Sequence, residues 1–539
     1  MQADTVLYNG RIYTQDDDLP LASAVAIRDG RIVGTGEDEA MRAILAPGGE
    51  GVDLEGRTVL PGLTDAHVHL SMYAESLQQV DLRGTASARE AVQRVAERAA
   101  TMPPGQWIRG HGWTQENWPD RRFPTAADLD AAVPDHPVYL TAQSVHSAWV
   151  NSRALQQAGV HAGTRNPTGG AVGRTASGSP SGILYEKAMK LVADAIPEPS
   201  VAQLAQQVER AIAHAQRSGL TGVHDFDGPL AFQAYQLLHQ QGRLGLRLLK
   251  NLPVGLLDEA MSLGLRWGFG DDWLRIGGVK LFADGALGPR TAWMIEPYEN
   301  QPDNYGMAVT DPEEMKERVS AASAAGLPAT IHAIGDRAVH HVLNVYEAVR
   351  AEEAERGVPR PHLRHRIEHV QLIHPDDAPR LAELDVIASM QPNHATSDMV
   401  MADAHWGERA EYAYNIRLQL EAGARVALGS DAPVEPIEPL PNIHAAVTRR
   451  RPDGFPDPKG WRCGPDGSRC LSVAEAVRGF TVGPAYAAGL EDRLGRLAPG
   501  YLADLVVLDQ DIFQEDPMAI AETAVLGTLV GGNWVHRRF

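Results

Sequence analysis

Six positions spread over most of the chain have residue types that hold divalent metal ions: His67, His69, Lys280, His332, His369 and Asp431. Each lies at or just past the end of a short apolar run. LPGLTDAHVHL carries the first pair, GGVKLFADG the lysine, PATIHAIGD and HRIEHV the next two histidines, and RVALGSDAP the aspartate. Residues two apart on a strand point to the same side, so His67 and His69 can grip one ion together. Imidazole nitrogen and carboxylate oxygen suit Zn2+, and also Mn2+ or Fe2+; zinc is favoured because no redox chemistry is evident. The lysine stands out in such a set. Its amine titrates near ~10.4 in water and would be a cation beside dications. Once neutral, it can add CO2 to form a carbamate, an anion with two oxygens.

Short strands must position these groups. In SVAQLAQQVERAIAHAQRSG, Val201, Leu204, Val208, Ile212 and Ala215 recur at helical spacing, with Ser200 as N-cap and Gly219 as stop. The strand TGVHDF follows. Asp311-Pro312 opens another helix, Gly326 ends it, and ATIHAI follows. The alternation continues through HRIEHV, VIASMQP and VALGSD. Repeated units of this kind imply an α/β fold with a parallel sheet. About eight candidate strands favour a closed (β/α)8 TIM barrel, which builds sites at the carboxyl ends of its strands. More than eight strand-like runs lie between 60 and 431, so strands two to four are not assigned.

Residues 1–60 read as short strands with turn signals at Asn9-Gly10 and Asp29-Gly30, and ADLVVLDQD and VLGTLVGGNWVH repeat that character. The expected organisation is a small β-sandwich made from 1–60 and 485–539, with a barrel domain at 61–484 between them. Ser472-Val-Ala-Glu475 is a capping box. Residues 151–190 are rich in Gly and Ser, have no helical period, and read as a loop inserted in the barrel.

At 539 residues, 44% hydrophobic and 22% charged, this is an ordinary globular composition. A net charge of -20 argues against nucleic-acid and anionic-membrane partners. No uncharged apolar run approaches the ~20 residues of a membrane span. MQADTVLYNGRIYT has strand-like alternation where a signal peptide would have a basic end and an apolar block. The cytoplasm is therefore the expected compartment. Cys463 and Cys470, in WRCGPDGSRC, are expected as reduced loop thiols, with a local disulfide or a metal clip as the alternatives.

VLPGLTDAHVHL, VKLFADGALGPRTA, IHAIGDRAV, HRIEHVQLIHPDD, VIASMQPNHATSDM, VALGSDAPVEPIEPL and LGRLAPGYLADLVVLD, in this order, resemble the amidohydrolase superfamily. Within it they resemble the amidohydrolase 3 family of YtcJ-like proteins and N-substituted formamide deformylases. The resemblance implies a metal-dependent (β/α)8 barrel with a β-sandwich from both termini. His67 and His69 would end strand one, His332 and His369 strands five and six, and Asp431 strand eight. Lys280 takes the place of the carboxylated lysine that bridges two ions in binuclear members. One departure lies in the 151–190 segment. Many relatives have Arg-Asp before a Pro-Thr-Gly; here Arg174 precedes Thr175, and the later triplet is Pro180-Ser181-Gly182.

On this reading His67, His69 and Asp431 hold one ion, and His332 and His369 the other, with carboxylated Lys280 between them. Water activated by the metals attacks a carbonyl carbon, and Asp431 passes its proton to the leaving nitrogen. The expected reaction is hydrolysis of a non-peptide carbon–nitrogen bond, as in an N-substituted formamide or N-acyl compound. The expected partner is thus a small-molecule amide, and the assembly is left open to a homodimer. His146, His111, Asp284 and His394 are candidate substrate contacts. Asp284 could instead pair with an unmodified lysine. His224 is a candidate for the site or the core, Asp398 for a substrate contact, and Trp113, Trp118, Trp149 and Trp293 for a pocket wall. A mononuclear deaminase of the same superfamily is the alternative, and a non-catalytic scaffold the third reading.

Overall fold

The computed structural model describes residues 2–115, 118–142, 147–359, 362–464 and 467–539. The chain divides into two compact units, one of Met1–Tyr73 with Leu204–Phe539 and one of Ala74–Gln203. The first holds eight parallel strands that neighbour one another in chain order. They are β1 (Leu63–Val68), β2 (Leu220–Asp225), β3 (Arg247–Pro253), β4 (Leu274–Phe282), β5 (Ala329–Ala333), β6 (Arg366–His369), β7 (Ile387–Met390) and β8 (Val426–Leu428). Every residue of β2, β6 and β7 is buried, as in a parallel sheet covered on both faces. The sheet curls until its edges meet. Just past β8 the Asp431 N–H donates to the His67 carbonyl at 2.7 Å, and the His69 N–H donates to the Ala432 carbonyl at 2.8 Å. Val68 and Ala432 form the parallel bridge that joins the two ends.

Helices return the chain between strands. Val201–Arg217 buries Leu204, Val208, Ile212 and Ala215 on one stripe. Asp311 caps Pro312–Ala324 by accepting from the Glu313 N–H at 3.0 Å. Gly219 and Gly326 follow these two helices at φ +91° and +80°, a conformation that favours glycine. Ser472 and Glu475 form the expected capping box. Among the described residues no helix is long and apolar enough to cross a membrane.

The terminal segments build two further sheets. One orders Arg31–Gly36, Ala24–Arg28, Ala3–Tyr8 and Leu45–Asp53. The other joins Val525–Val530 and Leu505–Leu508 from the end of the chain to Thr58–Pro61 and Arg11–Tyr13 from its start. Leu7, Ile27, Val59, Leu505 and Leu529 share one buried core.

The second unit corrects one expectation. The 151–190 segment is not a loop. It contains helix Ser152–Gln157 and the antiparallel pair Gly170–Arg174 and Pro180–Glu186, within a six-stranded sheet that belongs wholly to this unit. Gly and Ser cluster at the hairpin turn, where the Thr175 N–H donates to the Ser179 carbonyl at 2.9 Å, while Val172 and Leu184 pair across the strands. Turn residues at such density hide two short strands. Trp113, Trp118 and Trp149 pack in this unit's own core. A second correction concerns the cysteines. Cys463 and Cys470 form a disulfide, with their Cα atoms 5.3 Å apart, within disulfide range.

A buried ion pair links β3 to the strands at the end of the chain. Arg247 donates to Asp504 at 2.8 Å, and Asp504 also accepts from the Gly531 N–H at 2.7 Å. Both side chains are buried. Asp504→Ala strands the guanidinium, which costs about 3–5 kcal/mol for a broken buried pair. A matching fall in urea-unfolding free energy is expected. Unchanged stability would mean that Arg247 regains its hydration.

Candidate metal centre

The site forms at the carboxyl ends of β1, β4, β5 and β6 and just beyond β8. Four of its histidines have one ring nitrogen tied to an acceptor. His67 Nδ1 lies 2.6 Å from Glu368 Oε2, His69 Nδ1 3.1 Å from Asp227 Oδ1, and His369 Nδ1 2.8 Å from Gln391 Oε1. His332 uses the other nitrogen, with Nε2 2.9 Å from the Gly285 carbonyl. Oxygens of this kind accept, so each of these nitrogens carries the proton. The lone pair then falls on Nε2 of His67, His69 and His369 and on Nδ1 of His332. Neutral imidazole with its second nitrogen so fixed is the metal-binding form. Burial and the positive Lys280 together push His67 down to about 4 and His332 to about 3, so both rings are neutral at pH 7, whereas the Asp227 carboxylate raises His69 against its burial.

Three donors converge most closely. His67 Nε2 and His69 Nε2 are 3.5 Å and 3.6 Å from Asp431 Oδ1. Ligands at 2.0–2.2 Å on a tetrahedral zinc ion are about 3.3–3.6 Å apart, so the set fits. His67 Nε2 is buried and has no hydrogen-bond partner among the described residues. An orphaned lone pair of this kind is costly unless something ligates it. Asp431 is buried, which disfavours its charge. The hydrogen bond from His394 and the neighbouring imidazoles nevertheless hold it well below the usual carboxylate range. Lys280 is also buried, and burial pulls its amine down to about 8 against the pull of Glu368 and Asp431. Its Nζ lies 4.7 Å and 4.9 Å from the ring centres of Phe226 and Phe282.

Backbone strain helps aim the donors. His369 has φ +76° and Asp431 has φ +62°, both in the left-handed region. A non-glycine residue there costs about 1–3 kcal/mol. The turn at His369 sends Glu368 and His369, adjacent in sequence, to the same site, although neighbours on a regular strand face opposite ways.

His332 and His369 have ring centres 4.7 Å apart. The second group of converging donors, however, is His369, His394 and Asp431, without His332. His394 Nε2 is 3.3 Å from Asp431 Oδ2, and its Nδ1 is 3.7 Å from Glu435. Burial opposes its charge, but the two carboxylates prevail and push His394 up to about 10. As an imidazolium it bonds to Asp431 as a donor. The Asp284 carboxylate accepts the backbone N–H groups of Trp293, Ile334 and Gly335 at 2.8–3.0 Å, which anchors the loop after β4, and its Oδ1 lies 3.7 Å from His332 Nε2. His111 lies on strand Ile108–Trp113 of the second unit, in register with Asp81. His146 lies outside the described residues. His224 is buried beside Arg366, 2.9 Å from its guanidinium, and Trp293 stacks on His341 at 4.6 Å.

The supporting carboxylates were not singled out from the sequence. Glu368 holds His67 and is itself held by Arg366, whose guanidinium also reaches the Ala66 carbonyl and the Ser389 hydroxyl. Asp227 holds His69 and accepts from the Ser71 N–H at 2.5 Å. Asp65 accepts from the His67 N–H at 3.0 Å and from the Ser430 N–H at 3.0 Å, so it ties β1 to the segment after β8. A signal was present for two of them: Asp65 stands two before His67, and Glu368 directly precedes His369. All six expected metal-binding residues line one cavity of about 450 Å3, with Phe282, Met401 and Val434 among its apolar walls.

Comparison with known proteins identifies the family. The chain is 36% identical to Protein LONG AFTER FAR-RED 3 of Arabidopsis thaliana, over 99% of this chain and 92% of that protein. It is 32% identical to amidohydrolase YtcJ of Bacillus subtilis, over 99% of both. It is 29% identical to N-substituted formamide deformylase of Arthrobacter pascens, over 98% of this chain and 97% of that one. Among solved structures, an uncharacterized metal-dependent hydrolase from Pyrococcus furiosus superposes with a TM-score of 0.79 at 32% identity, covering 95% of this chain and 100% of that one. Residues 50–536 match the model of the amidohydrolase family, and the chain belongs to that family.

Proposed function

We propose that this chain is a metal-dependent hydrolase that cleaves a non-peptide carbon–nitrogen bond, such as that of an N-substituted formamide or another N-acyl amine. The carrying observation is the set of fixed tautomers, which leaves four imidazole lone pairs beside one carboxylate and one buried lysine at a single cavity. Similarity to a formamide deformylase over nearly the whole chain supports the bond type. His67, His69 and Asp431 would hold one divalent ion, and His332 and His369 a second, with zinc the best match to the donors. Lys280, with its amine drawn toward neutrality, would carry the bridging carbamate. Bound ions would polarise the carbonyl and acidify water. Asp431 would accept the proton of the attacking water at its carboxylate and deliver it to the leaving nitrogen. His394, hydrogen-bonded to that carboxylate, would hold it in place.

Dialysis against a chelator should abolish hydrolysis of N-substituted formamides and N-acetyl amines, and Zn2+ or Mn2+ should restore it. Full activity in protein shown by elemental analysis to be metal-free would refute the proposal.

Glu368→Gln removes the negative charge that accepts from His67 Nδ1–H. Metal affinity should fall by about 10–100-fold, the usual effect of losing a carboxylate behind a ligating histidine. Competition with a fluorescent chelator reads this directly, and wild-type affinity would mean that Glu368 serves only to neutralise Arg366.

Asp431→Asn keeps the side chain's shape but removes the base. Turnover should drop by ~10²–10⁴-fold, with a smaller loss of bound metal. Near-normal turnover would assign the base to another residue.

A further inference from the structure

Away from the metal-binding residues, the polar wall of the cavity is Gln371, Asp398, Glu435 and His394, the last an imidazolium set between Asp431 and Glu435. Lys280 is the one lysine or arginine among the described residues that line it. Neither Asp398 nor Glu435 lies within ion-pair distance of a lysine or arginine among the described residues; Glu435 faces His394 at 3.7 Å. Tyr414, which is buried, organises Asp398 and Gln371. Its hydroxyl oxygen is 2.7 Å from Asp398 Oδ2 and 3.2 Å from Gln371 Oε1. A hydroxyl has one proton to donate, and the shorter contact to a carboxylate takes it. The Tyr414 oxygen then accepts, so Gln371 satisfies it best with its N–H2 end. The two ends of a carboxamide have the same shape, and turning it over places the carbonyl oxygen in the cavity. Gln371 is 5% exposed, and the end of its carboxamide away from Tyr414 has no partner among the described residues.

Apart from His394, whose nitrogens face Asp431 and Glu435, the wall beyond the metal centre is therefore built from acceptors: a buried amide oxygen, the second oxygen of Asp398 and the second oxygen of Glu435. Around them stand Phe282, Leu287, Met401 and Val434, which suit a short alkyl chain. A carboxylate at this end of a ligand would face like charges. Asp398 accepts from Tyr414 and Glu435 faces the His394 imidazolium, but the second oxygen of each carboxylate has no partner among the described residues, and a protonated amine would supply N–H donors to both. We infer that the substrate is an amide whose amine portion ends in a second, positively charged amino group, held by Asp398, Glu435 and Gln371. This rests on the amide-hydrolase reading above and specifies its substrate class.

Sulfonamides that cannot be hydrolysed test the subsite without turnover. The zinc-loaded full chain is titrated calorimetrically with N-(4-aminobutyl)methanesulfonamide, N-pentylmethanesulfonamide and 5-(methanesulfonamido)pentanoate. The cation should bind about ten-fold or more tightly than the neutral compound, as a charge-assisted hydrogen bond provides, and the anion weakest. In Asp398→Asn the cation-to-neutral affinity ratio should fall toward one. Glu435→Gln, a second variant, should lower the same ratio. The inference is overturned if the cation does not bind, if the neutral or anionic compound binds as tightly, or if both variants keep the wild-type ratio. Formate release from the matching formamides reports the hydrolase reading separately. It can succeed while the affinity order fails, and the affinity order can hold while no formate appears.

Discussion

The seam between β1 and the segment after β8 is the constraint on which the site depends. Two backbone hydrogen bonds, Asp431 N–H to His67 and His69 N–H to Ala432, close the barrel where the most tightly converging donors sit. Closure and ligand placement are thus one event. Asp65 reinforces it by accepting from His67 on one side and Ser430 on the other, and burial pushes its carboxyl up to about 7. Residues more than 350 positions apart meet because the sheet has no free edge there. The left-handed turn at Asp431 lets its side chain reach two imidazoles while its N–H serves the seam.

Around that seam the interior is strongly polar for a barrel core, and it is ordered by charge pairing. Arg366 sits under Glu368, Glu368 under His67, Lys250 under Asp225, and Asp227 under His69. A buried charge without a partner is expensive, so each group fixes the protonation state of the next. These pairings orient the imidazoles and turn their other nitrogens into the cavity, while burial and Lys280 keep His67 and His332 neutral. The strain at His369 and Asp431 is sustained by the packed strands on either side.

Much of this was legible in the residues. Apolar runs ending in His, Lys or Asp located the strand ends, and the His67-x-His69 spacing located the pair that shares Asp431. The β/α alternation gave a parallel sheet, and β-rich ends gave the terminal sheets. Other features were hidden for physical reasons. Glu368 and His369 are neighbours, and strand periodicity sends them apart; only the positive φ at His369 brings both to the site. The sequence did not reveal that Asp284 anchors three backbone N–H groups, because the loop residues that bring them to it are 9 to 51 positions away. The inserted unit was underestimated because its hairpin turn is as rich in Gly and Ser as a loop. Pairing of Cys463 with Cys470 depended on a Cα separation of 5.3 Å that their spacing in sequence does not reveal.

Crystals grown with zinc and measured on both sides of the zinc absorption edge would test the centre most directly. The expected map has two anomalous peaks, one among His67, His69 and Asp431 and one beside His332 and His369, with density for a carbamate on Lys280 between them. A single peak beside a bare Lys280 amine would contradict the binuclear centre.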